Sequence, residues 1–464
     1  MSSTAATIKR QDLKKGHDST DLRRRRGETT VNLRKLKKEQ GLAKRRNTAS
    51  ILSGPEEEPL KTRNNCPVAP RVYTVRDIPS LAQALTSPVH DVRTDAARGL
   101  RKLLSREGNP PVEEVIRSGA MPLLVKYLDE NDNTDLQFET AWALTNIAST
   151  TKTQVVVDQG AVPALVRNLR HHNPELREQC AWCLGNIAGD SVDLRNSVLC
   201  STNALEGLLI NVTQPASASL LHNCVWALSN FCRGKPQPDM ELVQPAVPIL
   251  SQLLTCDDSE VLVDACWALS YLSDGDSDRI QHIMDAGTAP NLAKLLGHES
   301  CHVVTPALRT LGNFVTGEDA QTQAVLDVGV LPLLESLLHH KKKNIRKEAC
   351  WTLSNVAAGT PSQLEAVCMQ PGVIAGVIEL LEGGEWEVQK EANFVISNIA
   401  TAGNEQHVRQ VVEMDAIPAL CQMLDRADAK GVLVTLEALS SILVHDPPGS
   451  PWATLVDEAE GLDR

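Results

Sequence analysis

The stretch ETAWALTNIAST at 139–150 is followed by EQCAWCLGNIAGD at 178–190 and LHNCVWALSNFCRG at 221–234. In each, a tryptophan stands four residues before an asparagine: Trp142 and Asn146, Trp182 and Asn186, Trp226 and Asn230. Four residues is about one helical turn, so each indole and its amide share one face of a helix. The register continues through Trp267 with Tyr271, Arg309 with Asn313, Trp351 with Asn355, Phe394 with Asn398 and, more faintly, Leu436 with Ser440. The steps between successive first members are 40, 44, 41, 42, 42, 43 and 42 residues.

A period of that length belongs to helical repeats that cannot bury their apolar faces alone and must stack. From about residue 76 each unit follows one grammar. A short helix ends at glycine or a similar breaker, as in VVVDQGAVPALVRNL and VLDVGVLPLLESLL. Proline three residues after the glycine suits the first turn of a second helix. A polar turn such as HHNPEL leads into the third helix, which carries the Trp and Asn. Three helices per unit predict armadillo repeats rather than the two-helix HEAT type. The expected fold is all-α, a right-handed superhelical solenoid of armadillo repeats over 75–447, about nine in number. An incomplete last repeat follows at 448–464.

Charge is divided unevenly along the chain. Residues 1–47 carry fifteen Lys or Arg against five Asp or Glu, whereas the remainder carries 31 against 53. This basic arm has few apolar anchors and reads as disordered or conditionally helical. Residues 48–74, with SGPEEEPL and CPVAPR, read as a linker. An acidic body suits cationic ligands, and the arm can compete for the same surface. No run of about eighteen apolar residues and no signal-peptide h-region occurs, which predicts an intracellular, soluble chain without membrane contact. The twelve cysteines form no disulfide-like framework and read as reduced, packed thiols.

The Trp and Asn residues have two readings. Tryptophans on a helix are usually core. Here Ala141, Leu144 and Ile147 already form a core stripe beside Trp142 and Asn146. Repeatedly buried asparagines would each need partners. An exposed ladder on the inner surface is therefore expected. Its amides would hold the backbone of an extended peptide without reading its sequence. Its indoles would flank lysine or arginine stems, with cation–π attraction to the charge. Asp190, Asp264, Asp319, Glu348 and Glu391 lie near the ladder and complete the pockets.

Together with ARGLRKLLSRE (97–107), ACWALSYLSDG (265–275), ALRTLGNFVTG (307–317), KEACWTLSN (347–355) and an arm ending in LAKRRN (42–47), the ladder resembles importin α, the adaptor for nuclear localisation signals. The resemblance runs from about residue 9 to 464. It implies a major signal site at Trp142, Asn146, Thr153, Trp182, Asn186, Asp190, Trp226, Asn230 and Asp264, with Asp190 pairing a key lysine. The loop STTKTQ beside Thr153 is about two residues shorter than in the family and lacks its glycine. It implies a minor site at Arg309, Asn313, Asp319, Glu348, Trp351, Asn355, Glu391, Phe394 and Asn398. Phe394 replaces the usual tryptophan, and Tyr271 and Arg309 separate the two sites. The arm resembles an importin-β-binding helix, with Arg23, Arg24, Arg25, Arg26, Arg34, Lys35, Lys37, Lys38, Lys44, Arg45 and Arg46 serving importin β and self-occupation of the groove. The resemblance further implies shuttling between cytoplasm and nucleus and cargo proteins as partners. The shortened last repeat leads us to expect weak contact with the family's export receptor.

Rival readings fare less well. An armadillo scaffold for acidic partners needs a basic groove, and this body is acidic. Nucleic-acid binding through the arm lacks an aromatic for base stacking. CAWC at 180–183 offers only two metal ligands inside a repeated helix. DGDSDR at 274–279 has Arg279 where a calcium loop needs glycine. NVT at 211–213 is a glycosylation match without a secretory context. No nucleophile–base pair or phosphate loop occurs, so no enzyme, cofactor or metal is expected.

Overall fold

A computed structural model describes residues 72–426, 428–447 and 449–461. The arm, its eleven cations from Arg23 to Arg46, and most of the 48–74 linker lie outside the described residues.

The described residues are helical throughout, with no strand among them. Nine long helices recur among the described residues: α1 His90–Leu104, α2 Thr134–Ala148, α3 Pro174–Asp190, α4 Ala218–Cys232, α5 Ser259–Leu272, α6 Cys301–Phe314, α7 Lys343–Ala357, α8 Trp386–Ala402 and α9 Ala429–Val444. Two shorter helices precede each from α2 onward, as Thr153–Asp158 and Ala161–Asn168 precede α3. This three-helix unit is the armadillo repeat that the spacing predicts.

The turn between the two short helices demands a left-handed backbone. Gly119, Gly160, Gly287, Gly329 and Gly372 sit there with φ between 71° and 84°, and Asn203 and Asp415 take the same conformation at φ 66° and 63°. Glycine adopts it without steric cost, and Asn and Asp are the side chains that tolerate it best. Polar caps start several of the long helices. The side chains of Asn133, Asn173, Ser217 and Ser300 each accept a backbone N–H in the first turn of α2, α3, α4 and α6.

The core repeats with the same period. Two residues beyond the ladder position stand Leu144, Leu184, Leu228, Leu269, Leu311, Leu353 and Ile396, all sealed from solvent. Three further on stand Ile147, Ile187, Phe231, Leu272, Phe314, Val356 and Ile399, equally sealed. These positions form the spine on which neighbouring long helices pack, α1 on α2, α2 on α3 and α3 on α4, then α6 on α7, α7 on α8 and α8 on α9.

Among the described residues, 72–271 and 272–461 form two compact units. The first holds all nine residues expected of the major site, and the second holds all nine expected of the minor site. In the second unit a final helix, Trp452–Glu458, packs against Ala416–Arg426 and α9, with Trp452 and Val456 buried. No single described helix is long and apolar enough to cross a membrane.

Three motifs set aside above have packing or capping roles in the structure. Cys180 and Cys183 lie in the interior of α3, where burial pushes both thiols up, that of Cys183 to about 12. They stay protonated and pack as small apolar groups. Asp276 of DGDSDR caps the helix Ser277–Asp285, accepting the N–H of Arg279 at 2.9 Å. Asn211 of NVT is buried, and its amide donates to the carbonyls of Leu169 and Gly207 at 2.7 and 2.8 Å.

Candidate functional site

In the first unit, α2, α3 and α4 carry Trp142, Trp182 and Trp226 at one register, each with its asparagine a turn later. In the full chain the ladder is more enclosed than the sequence suggests. Trp142 and Trp182 are half-buried, Trp226 is 1 % exposed, and Asn146, Asn186 and Asn230 are 0–2 % exposed. Part of the partnering that looked costly to repeat comes from the stack itself. Asn146 donates from Nδ2 to Ser105 Oγ at 2.9 Å, Asn186 to the carbonyl of Thr145 at 3.2 Å, and Asn230 to the carbonyl of Gly185 at 3.0 Å. Each amide thus ties its helix to the preceding repeat through its Nδ2.

The indoles have a structural seat as well. A Cβ added at Gly185 would lie 2.6 Å from Cζ3 of Trp226, so the ring rests directly on glycine backbone. Trp142 is packed differently. The Arg101 guanidinium lies over its ring at 4.3 Å from the centroid, and Phe138 meets it edge-on at 5.6 Å. Arg101 is held there by Glu139 at 2.8 Å, which also binds Arg98 at 2.9 Å.

At the end of α3, Asp190 is exposed and its Oδ1 lies 3.3 Å from the Thr153 hydroxyl. Thr153 is buried at the start of its helix, with the carbonyls of Ala148 and Thr150 both 2.9 Å from Oγ1. The short loop therefore still brings Thr153 and Asp190 together. Asp264 lies on α5, buried at 4 %. Beside it in the register, Trp267 and Tyr271 stack on each other at 5.7 Å.

The second unit repeats the plan with differences. Asn313 donates to Ser273 Oγ at 3.0 Å and Asn398 to the carbonyl of Ser354 at 2.8 Å. Asn355 is 1 % exposed, and its Nδ2 has no hydrogen-bond partner. Trp351 rests on Gly312 as Trp226 does on Gly185. Trp351 and Phe394 are buried at 6 % and 5 %.

Both oxygens of Glu348 are bound by Arg309, Nε to Oε2 at 2.7 Å and Nη2 to Oε1 at 2.5 Å, in a fork with the carboxylate sealed. Glu391 is buried at 2 %, and Asp319 is exposed at the start of Asp319–Asp327.

Sequence reasoning missed the seats and acceptors. Ser105, Ser273, Gly185 and Gly312 are part of the ladder's construction. The glycines were visible three residues past the register position in CLGNIA and TLGNF. Nothing in the pattern marks Arg101 as the cation over Trp142.

Comparison with known proteins gives this geometry a family. The Armadillo/beta-catenin-like repeat matches at 108–149, 151–189, 235–274 and 318–358, and the Importin beta binding domain matches at 9–98. Importin subunit alpha-4 of Arabidopsis thaliana is 43 % identical over 475 residues, covering 100 % of this chain and 88 % of that protein. Importin subunit alpha-3 of the same plant is 43 % identical with the same coverage. The match to importin subunit alpha-6 of that plant, also 43 % identical, spans 62 % of this chain and about half of that relative, 53 %. A crystal structure of an engineered protein superposes with a TM-score of 0.77 at 28 % identity, covering 83 % of this chain and 93 % of that one. Identity along the full chain, with an importin-β-binding segment ahead of stacked armadillo repeats, makes this protein a member of the importin α family.

Proposed function

We propose that the first unit holds the lysine- and arginine-rich nuclear localisation signal of a cargo protein, in an adaptor whose arm links it to importin β. The chain is a transport adaptor of its family and not an enzyme. The observation that carries the site reading is the pairing of Asp190 with Thr153 at one end of a ladder of three Trp–Asn pairs. A carboxylate beside a hydroxyl suits a lysine ammonium, which has three N–H groups to donate. Trp182 and Trp226 supply aromatic surface for the neighbouring stems. Asn146, Asn186 and Asn230 supply amides for the peptide backbone.

The minor site takes a second basic cluster through Arg309, Asn313, Asp319, Trp351, Asn355, Glu391, Phe394 and Asn398. Glu348 serves it by fixing Arg309. Phe394 presents a smaller ring and a weaker quadrupole than indole, so this site is the poorer of the two. Nucleocytoplasmic shuttling follows from the adaptor role.

Fluorescence anisotropy with a labelled peptide bearing one lysine-rich cluster tests the reading. Trp182→Ala or Trp226→Ala is expected to weaken binding by tenfold or more, and Trp351→Ala far less. Equal losses at all three positions, or unchanged binding of a charge-neutral peptide, would refute it.

A further inference from the structure

The short loop before Thr153 places a lysine of the chain itself next to the pocket assigned to a ligand lysine. Lys152 is the residue before Thr153, and Thr153 Oγ1 lies 3.3 Å from Asp190 Oδ1. Adjacent Cα atoms are about 3.8 Å apart, so a flexible four-carbon stem at 152 brings its ammonium within range of Asp190. In the structure it points elsewhere. Lys152 Nζ is bound to Glu113 Oε1 at 2.6 Å, across to the helix Val112–Arg117 of the preceding repeat. Both side chains are about half-exposed, and the Lys152 backbone N–H is turned toward Thr150 Oγ1 at 3.2 Å.

We infer that Glu113 is a specificity-determining residue for the basic ligand, because it holds Lys152 off the Asp190 pocket and neutralises its charge. The inference rests on the reading of Asp190 as a lysine pocket. Without Glu113, Lys152 would act twice against the ligand: as an internal competitor for Asp190 and as a like charge beside the incoming ammonium. The hydrogen bond and charge of Lys152 also hold the Glu113 carboxyl below its usual range.

The test uses the full chain carrying Lys44→Ala, Arg45→Ala and Arg46→Ala, so that its own basic cluster does not mask changes in the pocket. The probe is a labelled peptide with a single Lys-Lys-Lys-Arg-Lys cluster. Glu113→Gln is expected to weaken binding about two- to fivefold, as befits an exposed pair, and the loss should shrink at high salt. Glu113→Gln with Lys152→Gln is expected to restore the starting affinity, and Lys152→Gln alone to match or exceed it. A pair that merely braces the loop gives the opposite pattern, with Lys152→Gln as weak as Glu113→Gln and no rescue in the double variant. That result, or no change on Glu113→Gln, overturns the clamp. Asp190→Lys separates the two levels. If it leaves binding intact, the pocket reading falls and the clamp with it; if it abolishes binding while Glu113→Gln does nothing, only the clamp falls.

Discussion

A methyl group added at Gly185 would stand 2.6 Å from Cζ3 of Trp226 and 2.9 Å from the Cβ of Ala227, closer than real side chains approach. Alanine is the better helix former by about 1 kcal/mol, but overpacking a sealed site costs about 1–3 kcal/mol. Gly185→Ala should therefore lower stability by roughly 1–2 kcal/mol in urea unfolding and weaken peptide binding by tilting the indole. If stability rises instead, Trp226 is free to move and its seat has been overstated. The asparagines divide on similar grounds. Asn398 donates to Ser354, so Asn398→Ala should cost about 1–2 kcal/mol. Asn355, whose buried Nδ2 meets no acceptor, should lose less than about 0.5 kcal/mol when changed to alanine. Its peptide affinity should nonetheless fall for ligands that use the second unit. Parallel melts and anisotropy titrations of the two variants check this.

Between elements, the Arg309–Glu348 fork joins α6 to α7 through a sealed carboxylate. Arg309→Ala leaves a sealed carboxylate without its guanidinium and should destabilise by about 3–5 kcal/mol. Replacing both residues by apolar ones of similar volume should cost far less, and denaturant midpoints of the single and double variants decide it. A weaker tie joins α4 to the turn before α5, where His222 Nε2 lies 2.6 Å from Asp258 Oδ2 and Glu260 stands 3.4 Å from Nδ1. The hydrogen bond from His222 is the main reason the Asp258 carboxyl titrates below its usual range. A depressed carboxyl stabilises the fold above its unfolded value near pH ~3.9 and ceases to do so as pH falls through the folded value. Asp258→Asn should accordingly flatten acid unfolding below about pH 4, as followed by circular dichroism. An identical acid profile would remove the tie from the account. Much of this level was legible in the sequence. The period placed α2 to α9, and the glycine-to-proline spacing placed the turns. The burial of Asn146, Asn186 and Asn230 was not legible, because a one-repeat view cannot show that Ser105 and the carbonyls of Thr145 and Gly185 come round from the preceding repeat to meet them. The Arg309–Glu348 fork was not legible for the same reason, since its two members lie 39 residues apart.

For the whole chain, the basic cluster at Lys44, Arg45 and Arg46 is separated from Thr74 by about 28 residues, which fully extended could reach ~90 Å. We expect the cluster to compete for the Trp182–Trp226 slots, since tethering gives an effective concentration on the order of millimolar. Changing the three cations to alanine should raise affinity for a basic peptide in the absence of importin β and remove any further gain on its addition. Full-length protein binding as tightly as the variant would reduce the arm to a handle for importin β. The joints within each unit also differ in kind. Asn186, Asn230 and Asn398 dock on main-chain oxygens, which any residue supplies, whereas Asn146 and Asn313 require the hydroxyls of Ser105 and Ser273. A repeat duplicated or excised at a main-chain joint would find its socket already in place, and one moved to a serine joint would not. Copy number is thus editable at some seams of this protein and locked at others, and the locked seams are those where each run of asparagines begins.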